Sequence, residues 1–97
     1  MDTVGYKIRE SRKSKGLLLR QLSASLDMDV AILSKIERGE RTPTKQQLIK
    51  IAKSLAIDEK ELINTLLAES ILNELSSNEN PIEVLKIVQK ELKKSNN

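Results

Sequence analysis

Apolar positions recur at helical spacing through most of the chain. Val4, Ile8 and the methylene part of Arg12 line one side of a segment from Val4 to Lys15, and Gly16 stops it. Leu17 to Leu19 lead into a second helix with Leu19, Leu22, Ala24 and Leu26 apolar. Asp29 caps a third that runs to about Arg38, and Gly39 ends it. Thr44, with Gln47 three residues on, forms a capping box opening a fourth helix that carries Leu48, Ile49, Ile51, Ala52 and Leu55. Asp58 with Glu61 repeats that signature for a fifth. Asn80 as cap and Pro81 at the first helical position begin a sixth, with Ile82, Leu85, Val88 and Leu92 on one face. The expected fold is therefore all-α.

Composition narrows the picture. A hydrophobic content of 38% is enough for a small core, but Tyr6 is the only aromatic residue and reads as a packing residue. The core must be Leu, Ile, Val and Ala. With 3 Gly and 2 Pro in 97 residues, little of the chain is turn. The absence of Cys and His removes thiol nucleophiles, imidazole bases and nearly all transition-metal sites. No paired acids, Ser–Lys constellation or phosphate-binding Gly loop points to catalysis, so no enzyme, cofactor, metal or small-molecule ligand is expected. No apolar run approaches the ~20 residues of a membrane span, and no signal-peptide pattern opens the chain. The expectation is a soluble, cytoplasmic protein.

Charge is unevenly spread. Residues 1–56 carry 12 Lys/Arg against 6 Asp/Glu, whereas residues 57–97 carry 5 against 8. A net +6 in one part and −3 in the other suggests a half that faces a polyanion and a half with another task.

The stretch "SASLDMDVAILSKIERGERTP", Ser23 to Pro43, is the end of one short helix, a tight turn, a second short helix and a Gly stop. Together with Ile8, Arg12, Gly16, Leu22, Leu26, Met28, Leu33, Ser34, Ile36, Glu37, Gly39 and Pro43, then Leu48, Ile51, Ala52 and Leu55, it resembles the Cro-like, lambda-repressor-like helix-turn-helix proteins of the Xre family. The resemblance covers residues 4 to about 66. It implies a five-helix DNA-binding domain, here with an extended fifth helix and an additional C-terminal helix. The expected organisation is a helix-turn-helix domain over 1–58, a helical dimerisation segment over 59–94 and a disordered tail over 95–97.

By that resemblance Val30, Ala31, Ser34 and Lys35 face the bases of duplex DNA, and Arg20, Arg38, Arg41, Thr42 and Lys45 face phosphates. Lys35 can donate to guanine O6 or N7, while Val30 and Ala31 can only touch thymine methyls. Arg12 and Glu37 are expected to pair and tie the first helix to the end of the third. The chain departs from the family pattern at Leu18 and Leu19, where a capping residue and a phosphate-binding Gln usually stand. Asp27 replaces the usual turn Gly, and Asp29 the usual Ser or Thr cap.

The apolar run of Leu62, Ile63, Leu66, Leu67, Ile71, Leu72 and Leu75, with Ile82, Leu85, Val88 and Leu92, is too extensive for one face of a five-helix domain. Leu62, Leu66, Ile71, Leu75, Ile82, Leu85, Val88 and Leu92 are expected at a homodimer interface. Two functions fit these features. One is a homodimeric transcriptional regulator on a palindromic operator, resembling restriction–modification controllers in size and layout. The other is a protein-binding module on the same scaffold, such as an antitoxin.

Overall fold

The computed structural model describes residues 2–96, and all regular structure among them is helical. The elements are α1 (Val4–Ser14), α2 (Leu19–Ser25), α3 (Val30–Glu37), α4 (Lys45–Leu55), α5 (Glu59–Ser76) and α6 (Pro81–Ser95). The chain divides into two compact units, Met1–Leu67 and Ala68–Asn97.

In the first unit, Ile8, Leu22, Leu33, Ile51 and Leu62 are wholly buried, joined by Val4, Leu26, Ile36, Leu48, Ala52 and Leu55. The helix-turn-helix pair thus points Leu22, Leu26, Leu33 and Ile36 inward. Leu17, Leu19 and Met28 pack partly against the same core, while Leu18 stays about half exposed. Tyr6 is also about half exposed, so it is not a core residue.

Four helices end in the same way. After α1, Leu17 N–H donates to Arg12 carbonyl (3.1 Å) and Gly16 N–H to Lys13 carbonyl (2.9 Å). This pair of bonds satisfies carbonyls that the last turn leaves unpaired, and it needs a left-handed residue between them. The same double closure recurs around Asp27, Gly39 and Ala56: Met28 donates to Ser23, Glu40 to Lys35 and Ile57 to Ala52, each at 2.9 Å. Gly16 (φ 68°) and Gly39 (φ 76°) adopt that conformation without a Cβ clash, whereas Asp27 (φ 52°) and Ala56 (φ 54°) adopt it with one.

The N-terminal caps differ from expectation in several places. Thr3 Oγ1 accepts from Tyr6 N–H, capping α1. At α2 the Leu18 side chain has no acceptor, but Gln21 Oε1 accepts from Leu18 N–H at 2.8 Å, supplying half of a capping box. The box at α4 is complete: Thr44 N–H donates to Gln47 Oε1 and Gln47 N–H to Thr44 Oγ1. At α5, Asp58 accepts from Lys60 N–H, while Glu61 reaches Lys7 at 2.9 Å. Asn80 does not cap α6 with its side chain. Its N–H donates to Asn78 Oδ1 instead, and Pro81 takes the first helical position.

The apolar run in α5 is not one stripe. Leu62 is fully buried in the first unit's core, and Ile63 and Leu66 pack against it. Leu62 therefore has no surface to offer a second chain, which corrects its expected place at a dimer interface. In the second unit the apolar residues stay accessible. Ile71, Leu72, Ile82, Ile87, Val88 and Leu92 are all exposed, Leu75 and Leu85 are half-buried, and α6 contains no buried residue. Asn97, in the expected disordered tail, lies outside the described residues.

Candidate nucleic-acid interface

The outer face of α3 follows from the burial of its inner face. Leu33 and Ile36 are sealed in the core, so helical geometry turns Val30, Ala31 and Lys35 to solvent, with Ser34 half-buried at their edge. Asp29 fixes the start of the helix, accepting from Ala31 N–H at 2.7 Å and Ile32 N–H at 3.4 Å. Its negative charge is thereby held against the backbone donors of α3. Of the expected phosphate-facing residues, Arg20 is exposed on α2. Arg38, Arg41 and Thr42 are exposed in the α3–α4 connection, and Lys45 opens α4.

Arg12 supports α3 from behind. Its Nε donates to Glu37 Oε2 at 2.8 Å, its Nη2 to Glu37 Oε1 at 3.0 Å, and its Nη1 to Leu17 carbonyl at 2.8 Å. The guanidinium binds both carboxylate oxygens in a fork, the geometry that gives Arg–carboxylate pairs their strength and direction. The side chains are only 12% and 5% exposed. The hydrogen bond to Glu37, with the attraction of its charge, holds the Arg12 pKa above its ordinary value against the opposing effect of burial.

Three features of this region were not anticipated from sequence. Gly5 sits where α1 crosses the end of α3, and a Cβ there would lie 2.5 Å from the carbonyl oxygens of both Ile36 and Glu37. The signal was a lone Gly inside a helical segment, which often marks close backbone approach. Arg38 pairs with Glu40 at 2.7 Å on the surface, both side chains being 55% exposed. Ser34 shares a cleft of about 220 Å³ with Arg9, Arg12, Leu19, Glu37 and Arg38.

These helices match a family model described as helix-turn-helix over residues 8–62, more than half of the chain. The chain belongs to the helix-turn-helix family. Its type is that of the Xre proteins. Over 56 residues it is 36% identical to the transcriptional regulator ClgR of Mycobacterium tuberculosis, covering 58% of this chain and 50% of the relative. The chain thus spans about half the length of the curated relatives it matches. The restriction–modification controller protein C.AhdI from Aeromonas hydrophila is 32% identical, with a TM-score of 0.58 over 61% of this chain and 89% of that one. ClgR from Corynebacterium glutamicum, at 19% identity and a TM-score of 0.60, shares the fold over 97% of this chain and 86% of its own.

The family match ends at Leu62, the last buried residue of the first unit, and contains all of that unit's buried apolar core except Val4. Within it, the helix-turn-helix presents one accessible helix face and a basic margin. Such a face can enter a major groove, and the margin can meet phosphates. Among the described residues, no group of His, Cys, Asp and Glu could hold a metal ion, and no helix is long and apolar enough to cross a membrane.

Proposed function

We propose that the protein is a homodimeric transcriptional regulator that binds a palindromic operator in duplex DNA. The observation that carries this reading is the face of α3. Val30, Ala31, Ser34 and Lys35 are accessible together, while the Arg12–Glu37 pair braces the helix from inside. In this reading Lys35 reads a base, Val30 and Ala31 contact thymine methyls, and Ser34 serves either strand edge. Arg20, Arg41, Thr42 and Lys45 hold phosphates; Arg38 joins them by exchanging Glu40 for a phosphate. Direct readout by so few donors is sparse, so DNA shape supplies part of the specificity. The similarity to C.AhdI supports a controller-type regulator among the family's roles.

Dimerisation rests on the second unit. An amphipathic helix with no fully buried residue covers its apolar face only in part within one chain, and soluble proteins rarely leave such faces uncovered. A second copy covers Ile71, Leu75, Ile82, Leu85, Val88 and Leu92, with Leu66 at the margin of the first unit's core. Symmetry then presents two α3 helices to half-sites about one helical turn, ~34 Å, apart.

Selection of bound duplexes from a random pool tests the reading: the expected product is a palindromic consensus, and a pool with no enrichment defeats it. Sedimentation of the full chain tests the dimer, which is refuted by a monomer at tens of micromolar, since interfaces of standard size reach about micromolar affinity or tighter.

The exposure of Val30 and Leu18 favours one rival, a module whose helix-turn-helix face meets a protein. Salt dependence separates the two. DNA affinity must fall steeply with salt for a regulator, whereas an apolar protein contact is nearly insensitive.

A further inference from the structure

The cleft of about 220 Å³ beside Ser34 is lined by three guanidinium groups and one carboxylate, those of Arg9, Arg12, Arg38 and Glu37, with Leu19 as its apolar wall. Their charges are not equally available. Arg12 and Glu37 neutralise one another through the two-bond fork, and the third arm of Arg12 is taken by Leu17 carbonyl. Arg38 is held only by Glu40, in a surface pair that water screens and that contributes little. The guanidinium of Arg9 engages no partner among the described residues. What remains is a concave site with two available positive charges, Arg9 from α1 and Arg38 from the end of α3, bordering the same Ser34 that faces the bases.

We propose that Arg9 and Arg38 together hold one backbone phosphate of duplex DNA in this cleft. The inference rests on the reading of α3 as the DNA-contacting helix, and it adds α1 to the interface. Leu19 offers the cleft no side-chain donor, so a phosphate bound there takes its charge from the arginines of α1 and of the end of α3. Arg9 lies one turn before Arg12 on the same helix, and Arg12 is locked to α3, so the backbone of Arg9 is held at a set place relative to Ser34, beside the cleft that its side chain lines. A guanidinium fork matches phosphate geometry better than an ammonium does, and two such forks from different helices define where the phosphate sits. Binding exchanges the Arg38–Glu40 contact for Arg38–phosphate and leaves the buried pair intact.

The test uses the full-length protein and its selected duplex, with dissociation constants measured over a series of potassium chloride concentrations. Wild type, Arg9→Ala, Arg38→Ala and the double variant are compared. Arg9 is exposed, so its variant is expected to melt with the wild type; Arg9→Gln repeats the test if Arg9→Ala does not. Each neutralised phosphate contributes about 0.9 to the slope of log affinity against log salt. Arg9→Ala and Arg38→Ala are each expected to reduce the slope by part of that amount per protomer, and the double variant by about that amount in total, since both residues serve one phosphate. A scan with single neutral methylphosphonates locates it. At one phosphate per half-site, neutralisation costs wild type about tenfold or more, the scale of one charge-assisted hydrogen bond, but costs Arg9→Ala little. An unchanged slope in Arg9→Ala, or a loss that adds in full at every methylphosphonate, overturns the clamp alone. A wild type with no salt-dependent duplex binding overturns the parent reading with it.

Discussion

Replacing Glu37 by Ala removes one partner of a charge pair that is almost fully enclosed. The Arg12 guanidinium loses both carboxylate bonds, at 2.8 and 3.0 Å, and keeps only Leu17 carbonyl. It cannot swing freely to water, because its side chain is 12% exposed. Breaking a buried pair from one side costs ~3–5 kcal/mol, against total stabilities of about 5–15 kcal/mol. In a domain of this size each kcal/mol moves Tm by roughly 4–8 °C, so Glu37→Ala is expected to melt at least ~12 °C below wild type. Thermal unfolding followed by circular dichroism measures this directly. Operator affinity, measured well below the new Tm, is expected to fall less than stability does, because in the proposed interface Glu37 is assigned no bond to a base or a phosphate. A companion variant, Arg12→Met with Glu37→Met, separates lost charge pairing from lost packing and is expected to recover much of the stability. Because the Arg12 pKa is raised in the folded state, its contribution is fully present below the unfolded value and is lost only as pH rises through the folded one. The ionisation of Arg12 therefore contributes no pH dependence near neutrality. A Glu37→Ala protein whose Tm falls by less than about 4 °C, the shift expected of a single kcal/mol, would show that the pair does not support the fold.

Gly5→Ala pushes a methyl to 2.5 Å from two backbone oxygens that cannot yield without moving α3, and is expected to destabilise by ~1–3 kcal/mol or more; an unchanged melt would mean that the two helices separate at no cost. Ala56→Gly removes the penalty of a left-handed alanine, and is expected to raise Tm by a few degrees, the excess of a ~1–2 kcal/mol relief over the added freedom of the unfolded chain. Lys35→Ala is expected to relax preference at one base pair per half-site, a cost of ~1–3 kcal/mol there, whereas Arg41→Ala weakens all sequences alike. Equal losses on specific and random duplexes in both variants would remove the distinction between the two roles.

The helices were legible because their punctuation is local. Gly16 and Gly39 announce left-handed stops, and Thr44 with Gln47 announces a start, and each does in the structure what its chemistry favours. One further stop was hidden. Asp27, which stands where the family pattern has its turn Gly, and Ala56 make the same two closing bonds as the glycines, but Ala is a strong helix former and carries no mark of a left-handed turn. Only the packing on either side of Ala56 decides that the chain must turn there. Leu62 shows the complementary failure. A helical period says that a residue is apolar on one face, but not whose core that face enters, and the first unit claims it entirely.

For the candidate interface, sequence defined one helix well and its surroundings poorly. The outer face of α3 was readable because Leu33 and Ile36 leave only one orientation that buries them, and this forces Val30, Ala31 and Lys35 outward. What no spacing rule within α3 could supply was the set of groups brought beside that face from elsewhere. Glu40, two residues after Arg38, faces it at 2.7 Å because the stop at Gly39 folds the chain back. Arg9 comes near Ser34 because Gly5, one turn earlier on α1, lets that helix approach the end of α3 closely. A residue with no side chain thus determines where the charged one lies. Any substitution at Gly5 that the fold survives must then move Arg9 away from the cleft as well as loosen the core, coupling DNA affinity to a position that touches no DNA.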